Sequence, residues 1–171
     1  LYGGAVCDCW YGVVSFEGGI VENNSVTYTG SVSPAVGGGA ICVYQSSALY
    51  VTGDTKIKNN TSTGVAGGIY LSNDNAYNNI YFSGNPVVKD NYQVEDENKL
   101  ESNVYTSGRV QHTDQNYLIY ATNLGNGAKI GVTTKVDTSE PPTPEADENF
   151  ARYDTSAGQE VYAQAFFSDP R

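Results

Sequence analysis

The sequence repeats itself, and this repeat limits what the chain can fold into more than any other feature. A Gly-Gly pair followed by small or β-branched apolar residues occurs at Gly3-Gly4-Ala5-Val6-Cys7, Gly38-Gly39-Ala40-Ile41-Cys42 and Gly67-Gly68-Ile69-Tyr70-Leu71. A fourth copy without glycines is Asn103-Val104-Tyr105. Self-similarity at a period of about 20 to 50 residues is typical of proteins built from stacked supersecondary units. We therefore expect one unit that recurs along the chain.

Two further elements follow each glycine pair in a constant order. A second strand-like run that ends in a glycine turn occupies residues 14–19, 49–54 and 80–85. A third element places an apolar residue three positions before an asparagine, and these residues are Val21 before Asn24, Ile57 before Asn60 and Val88 before Asn91. Asn24 and Asn60 are 36 positions apart, and Asn60 and Asn91 are 31 apart. Three strands separated by Gly and Asn turns then fill each period.

Short strands of this kind bury an apolar face only when the units stack, so that equivalent residues lie above one another in parallel ladders. We therefore predict an all-β right-handed parallel β-helix, a solenoid of three to four coils over residues 1–136 with a C-terminal capping segment. Three inward apolar columns are expected. Their members are Val6, Ile41, Ile69 and Val104; Phe16, Val51 and Phe82; and Val21, Ile57 and Val88.

The recurring asparagines predict a structural ladder at one corner of the coils. Buried turns have backbone groups that need partners, and stacked amides of Asn24, Asn60 and Asn91 would bond to turn backbone and to one another. Asparagine and the paired glycines also tolerate the left-handed conformation that such corners often need.

The C-terminal third changes character after a last predicted coil at residues 117–132. Residues 137–148 are acidic and rich in proline, and we interpret them as a linker that cannot join a ladder. Residues 149–171 contain the apolar run 161–168, which predicts a capping strand over the open end of the solenoid.

The order of these motifs resembles the repeat of bacterial adhesin-like β-helix proteins. It is also similar to the paired Gly-Gly-Ala-Ile and Phe-x-x-Asn repeats of chlamydial polymorphic outer membrane proteins, with Val21, Ile57 and Val88 in place of the Phe. The resemblance covers about residues 3 to 132. It implies a pectate-lyase-like fold and a bacterial cell-surface location, with no catalytic residues.

The charge composition argues against two classes of binding partner. The chain has 19 acidic and 9 basic residues and a net charge of −10, which argues against nucleic acid or an anionic membrane as partner. No apolar run is long enough for a membrane span, and we interpret the chain, which contains no methionine, as a piece of a longer polypeptide. The expected partners are a host or bacterial surface glycan or protein, or flanking domains of the same polypeptide.

Three cysteines are too few for a disulfide-rich scaffold, and the second ligand pair that zinc would need is absent, so we expect no metal and no cofactor. Cys7 and Cys42 occupy the same place after the glycine pairs and should lie on adjacent coils. A disulfide between them is allowed by a strand spacing of about 4.8 Å. Two stacked thiols are the alternative, and Cys9 competes as a partner.

An enzyme is the alternative to a non-catalytic surface module. A polysaccharide lyase or glycoside hydrolase on this scaffold would need clustered carboxylates, or a Ca²⁺ site with a basic residue. The nearest groups are Glu95-Asp96-Glu97, Asp74 between Asn73 and Asn75, and the single His112 near Asp114. We expect all of them in loops and without a catalytic role.

The tyrosines give a more specific prediction. Tyr70 and Tyr105 follow equivalent column residues, whereas Tyr50 and Tyr81 precede equivalent ones, so both pairs should point outward. Such pairs either stabilise neighbouring strands or form a flat platform for sugar rings. Binding to glycans through these four residues, adhesion in general and a purely structural stalk all remain open. An ice-binding surface is disfavoured because threonines do not recur by coil.

Overall fold

A computed structural model describes residues 2–8, 10–29, 37–72, 78–106, 119–134, 151–153 and 165–169. In these residues the chain is all-β, with twenty strands. The first ten are β1 (Tyr2–Gly3), β2 (Val6–Asp8), β3 (Val13–Phe16), β4 (Ile20–Glu22), β5 (Ser25–Val26), β6 (Gly37–Gly38), β7 (Ile41–Val43), β8 (Ala48–Val51), β9 (Lys56–Lys58) and β10 (Thr61–Ser62). The other ten are β11 (Ile69–Leu71), β12 (Asn79–Gly84), β13 (Val87–Val88), β14 (Tyr92–Glu95), β15 (Asn98–Glu101), β16 (Val104–Thr106), β17 (Ile119–Leu124), β18 (Lys129–Thr134), β19 (Ala151–Tyr153) and β20 (Phe166–Ser168).

Strands at the same place in successive repeat units pair with one another in parallel. Strands β2, β7, β11 and β16 form sheet A, and β3, β8, β12, β17 and β19 form sheet B. Strands β4, β9 and β13 form sheet C, while β5, β10 and β14 form sheet D. The chain therefore visits sheets A, B, C and D in turn within each unit, and the remaining short pair joins β1 to β6.

The registers confirm the three predicted apolar columns. In sheet A, Val6 pairs with Ile41, Ile41 with Ile69, and Ile69 with Val104. In sheet B, the members of the second column are paired in the same way, and so are those of the third column in sheet C. The structure extends the columns by Val132, Ala121 and Ile130.

Later in the chain the regular order changes. Strand β18 pairs with β13 through Lys129 and Ile130 and with β16 through its last three residues, so that sheets A and C become one nine-stranded sheet. Strand β15 folds back on β14 as an antiparallel hairpin. From the predicted capping segment, β19 pairs with β17 and β20 pairs with β18, both in parallel. The predicted linker lies outside the described residues.

The core is continuous but unevenly buried. Column residues of the second, third and fourth units are almost completely inaccessible to solvent, as are Leu49, Leu71, Ile80 and Ile119. The first-unit members Val6, Val14, Phe16 and Val21 pack against this cluster and are only partly buried. Burial of apolar area, the main favourable term in folding, is therefore weakest in the first unit.

The predicted placement of the left-handed conformation on the ladder asparagines and the paired glycines was wrong. The left-handed residue is the one before each ladder asparagine: Asn23, Asn59 and Asp90 have φ values of 59°, 55° and 56°. The repeated glycine pairs instead serve close backbone packing. A Cβ on Gly39 would overlap the carbonyl oxygens of Gly67 and Thr61, which explains why a side chain is excluded there.

Candidate functional site

Three tyrosines form a stacked row on the outer face of sheet B. Tyr50 pairs with Tyr81 and Tyr81 with Tyr120, and inward apolar residues flank each of them along its strand. The ring centroids of Tyr50 and Tyr81 are 4.6 Å apart with an interplanar angle of 10°, and those of Tyr81 and Tyr120 are 5.0 Å apart with an angle of 13°. We call these three residues the tyrosine ladder.

In the tyrosine ladder, the ring faces between neighbouring tyrosines are covered, so the ring edges point towards solvent. Nearly parallel rings with centroids less than about 5 Å apart must lie face over face, because a phenol ring is too wide to lie beside its neighbour at that distance. Both faces of Tyr81 are therefore occupied by Tyr50 and Tyr120. A flat platform for sugar rings stays a prediction, and between Tyr50 and Tyr120 its contact surface would be ring edges rather than ring faces. What reaches the surface is a row of ring edges at the spacing of the strands.

The phenol groups of the ladder influence one another. Burial raises the pKa of the Tyr81 phenol above its usual value, and the neighbouring phenols of Tyr50 and Tyr120 raise it further. Tyr81 is thus held in its neutral form, in which the hydroxyl group can both donate and accept a hydrogen bond.

Small residues, most of them polar, occupy the outward positions of sheet B beside the ladder. Ser15 is the register partner of Tyr50 at one end of the row, and Arg152 is the partner of Tyr120 at the other end. The outward positions beside the ladder belong to Thr52, Ser83 and Thr122 on one flank and to Ala48 and Asn79 on the other. The strip therefore combines aromatic edges with hydroxyl and amide groups.

The other predicted tyrosine pair is not on an open surface. Tyr70 and Tyr105 are stacked, with ring centroids 6.1 Å apart, but Tyr70 is only 1% exposed and packs with Cys42 and Ala66. The cause is the segment after β10, which covers the outer face of sheet A: Ala66 bridges to Gly38. Tyr70 therefore belongs to a second, smaller apolar cluster, with Tyr105 half-buried at its margin.

The structure places Cys7 and Cys42 as register partners in β2 and β7. Cys42 is buried in the cluster with Tyr70, whereas Cys7 is exposed at the margin of the sheet. The two residues are thus neighbours, as their motif positions predict, and a disulfide between them stays a prediction.

The three predicted ladder asparagines lie in one column and are joined by side-chain hydrogen bonds. The amide nitrogen Nδ2 of Asn24 donates to Oδ1 of Asn60 at 3.0 Å, and Nδ2 of Asn60 donates to Oδ1 of Asn91 at 2.8 Å. Each Oδ1 also accepts from the backbone N–H of the preceding asparagine. Nδ2 of Asn60 and of Asn91 reaches the backbone carbonyl groups of Val21 and Ile57 as well. We call this column the asparagine ladder.

Two residues that the sequence did not reveal complete the asparagine ladder. Asn91 donates from its backbone and side chain to Oδ1 of Asn103, and Asn103 donates in the same manner to the carboxylate of Asp169. Thr133 donates to this carboxylate too. Asn103 stands directly before the fourth apolar motif, which is a usable signal, but Asp169 is 66 positions away and follows no repeat. Asp169 ends the ladder with a group that only accepts.

The structure describes one of the acidic groups that were weighed as catalytic. Glu95 ends β14, and Asp96 and Glu97 form the exposed turn of the hairpin. Asp74, His112 and Asp114 lie outside the described residues. Among the residues that the structure describes, no group of three or more His, Cys, Asp or Glu side chains could hold a metal ion.

Comparisons with known proteins add no assignment. No protein-family model, curated protein or solved structure matches the chain. Within the described ranges, no helix is long and apolar enough to cross a membrane. The candidate site is therefore defined by geometry alone, and the tyrosine ladder, half-buried on the outer face of sheet B, is its principal part.

Proposed function

We propose that the chain is a right-handed parallel β-helix in which each repeat unit is one coil. The proposal is supported by the parallel registers of sheets A, B and C, which join residues one unit apart in every case. About 98% of crossover connections between parallel strands of one sheet are right-handed, and this supports the handedness. The asparagine ladder supports it further, because such a column needs equivalent corners above one another.

We further propose that this β-helix is a non-catalytic, adhesin-like module on a bacterial cell surface. The resemblance of its motifs to surface repeats supports this location. The described surface supports a binding role more than a reaction, because the half-buried tyrosine ladder is an ordered outward feature, whereas no acidic cluster among the described residues could hold a metal ion.

The tyrosine ladder is the single observation on which the binding proposal depends, and a surface glycan is the ligand class it suits best. Tyrosine gives a rigid amphipathic contact at low entropic cost, since it has only two side-chain torsions. The phenol groups recur at the strand spacing, so a polymer with repeating hydroxyl groups meets the same donor and acceptor at each step. Ring edges and the outer faces of Tyr50 and Tyr120 supply the apolar contact.

A glycan array tests this proposal. The triple variant Tyr50→Phe, Tyr81→Phe and Tyr120→Phe keeps the stacked rings and removes the three hydroxyl groups. We expect its binding to the glycans recognised by the unaltered chain to fall by at least about tenfold, since each lost hydrogen bond contributes about 1 kcal/mol.

Tyr92→Phe is the matched control, because Tyr92 is a half-buried tyrosine of sheet D, outside the ladder. It should bind as the unaltered chain does. If the triple variant keeps full binding, or if the unaltered chain binds no glycan, the ladder only stabilises neighbouring strands and a structural stalk becomes the better reading.

A further inference from the structure

The first coil leaves one end of the β-helix open. In the part of the chain that the structure describes, sheets A to D all end at first-coil strands, and the outer edges of β2, β3, β4 and β5 have no strand beside them. The side chains there are apolar. The inward column residues Val6, Phe16 and Val21 are only partly covered. Val13 and Ile20, which are 70% and 55% exposed, lie at outward positions of the same coil. An end of this kind combines unpaired strand edges with an apolar cross-section.

The side-chain hydrogen bonds of the asparagine ladder all run in one direction, from each asparagine to the next one along the chain. Oδ1 of Asn60 accepts from both the backbone N–H and Nδ2 of Asn24, and every later member accepts in the same way from the member before it. Asn24 is the exception: among the described residues, none donates to its Oδ1, although its own donors are both used. The ladder therefore begins with an unused acceptor.

A second unused acceptor lies in the same coil. The carboxylate of Asp8 is buried, and no described residue donates a hydrogen bond to its Oδ2. Ser47 donates to this carboxylate from the second coil, and burial raises the pKa of the group above its usual value. Oδ2 of Asp8 is enclosed, so Oδ1 of Asn24 is the unused acceptor that a partner at the open end could reach.

We propose that the open end of the first coil binds a further β-coil that presents an asparagine to Asn24. This partner would add parallel strands to the exposed edges and cover Val6, Phe16 and Val21. Its asparagine would donate from the backbone and from Nδ2 to Oδ1 of Asn24, as Asn24 does to Asn60. The inference concerns an interaction surface and is independent of glycan binding.

The opposite end of the same chain is a poor occupant of this surface. Its ladder ends in the Asp169 carboxylate, which has no donor to offer when ionised, so head-to-tail stacking of two copies would place two acceptors face to face. The strand β20 also covers β18 at that end. A coil with a donor asparagine satisfies the open end, and a second copy of this chain in head-to-tail stacking does not.

The test adds such a coil to residues 3–171, in place of Leu1 and Tyr2. A second copy of residues 38–65 is joined directly in front of Gly3; this junction follows the native one, because Gly3 pairs with Gly38 and Gly38 with Ala66. Hydrogen exchange is then measured for the amides of β2, β3 and β4. We expect exchange there to slow by at least about tenfold, since edge amides gain partners and the core gains cover. Unchanged exchange in all three strands would overturn the proposal.

A matched fusion isolates the asparagine contact. In it, Asn60→Asp is made in the added copy only, which replaces the donor amide with an acceptor of the same shape. This fusion should lose most of the protection around Asn24. Equal protection by both fusions would show that apolar cover alone selects the coil and would overturn the role of Asn24. Sedimentation of the unaltered chain should show a monomer, and head-to-tail dimers would contradict the proposed mismatch.

Discussion

The two ends of the asparagine ladder differ in burial and in hydrogen-bond partners. At the Asp169 end, Asn103 is fully buried, its neighbours are covered by β20, and the last donors meet a carboxylate. At the Asn24 end, the asparagine is half-buried and its acceptor is unused. Equivalent residues should therefore contribute unequally, because burial and neighbours set the contribution of a residue and its type alone does not.

Each end also buries one carboxyl group, and the two groups have different surroundings. Asp169 receives donors from Asn103 and Thr133, whereas Asp8 receives one from Ser47 and keeps an oxygen without a described donor. Burial raises the pKa of both carboxyl groups. Hydrogen bonds therefore satisfy the buried carboxyl group more completely at the Asp169 end, which we call the closed end, than at the Asn24 end, which is the open end.

The largest expected difference in stability between the two ends concerns two phenylalanines in one column of sheet B. Phe82 is 1% exposed and touches Phe166 edge to face, with ring centroids 6.1 Å apart. Phe16 occupies the same column in the first repeat unit and is only partly buried. Phe82→Ala should lower the free energy of unfolding by about 3 to 5 kcal/mol. Phe16→Ala should lower it by about 1 to 2 kcal/mol, because less apolar area is withdrawn from water there.

Urea denaturation of both variants measures the difference, and Phe82→Leu serves as a control that keeps most of the volume. Equal losses of unfolding free energy for Phe16→Ala and Phe82→Ala would mean that the first repeat unit buries its apolar residues as well as the third does in solution. The contrast between the two ends would then be wrong.

The sequence allowed the regular part of this architecture to be predicted. Motif order placed Val6, Ile41, Ile69 and Val104 in one column, because an inward side chain recurs whenever strands pair in register. The same reasoning identified Tyr50 and Tyr81 as neighbours. It missed Tyr120, although the triplet Ile119-Tyr120-Ala121 has the same apolar-Tyr-apolar pattern.

Other features depend on contacts that no local pattern encodes. Tyr70 was expected on the surface and is buried, because the segment ending at Ala66 crosses the outer face of sheet A. Asp169 joins the ladder from a C-terminal strand without any motif. The stacking of the tyrosine rings depends on side-chain torsions, which the strand register does not set.

The second test compares two members of the asparagine ladder. Asn60 is fully buried and its Nδ2 donates to Asn91 and to the carbonyl groups of Val21 and Lys58. Asn60→Ala should therefore cost about 1 to 3 kcal/mol, since several buried groups lose partners together. Asn24→Ala should cost less than about 1 kcal/mol, because water reaches the groups it leaves.

Thermal and urea unfolding of these two variants give the comparison, with Asn126→Ala in an exposed turn as the control for loss of an amide. An Asn60→Ala protein as stable as the unaltered chain would mean that the asparagine ladder does not stabilise the fold. Equal losses at Asn60 and Asn24 would remove only the contrast between the ends.

The smallest effect concerns the pH dependence of the closed end, where two influences on Asp169 oppose each other. Burial raises the pKa of its carboxyl group above the usual 3.8, and hydrogen bonds from Asn103 and Thr133 lower it by a smaller amount. The folded protein then holds the proton more tightly than the unfolded chain does. The contribution of this group to stability is complete below about pH 3.8 and is lost as pH rises through the raised pKa.

Asp169→Asn removes this titration and keeps an oxygen that accepts from Asn103. The stability of the unaltered chain minus that of the variant should fall as pH rises from the unfolded value, by at most about 1.4 kcal/mol per pH unit. Urea titrations at a series of pH values measure it, and Asp96→Asn in the exposed hairpin turn supplies the same change of charge. A difference that grows with pH would mean that the three donors outweigh burial at Asp169. The closed end would then be stabilised by its ionised carboxylate, and the contrast with Asp8 would become larger.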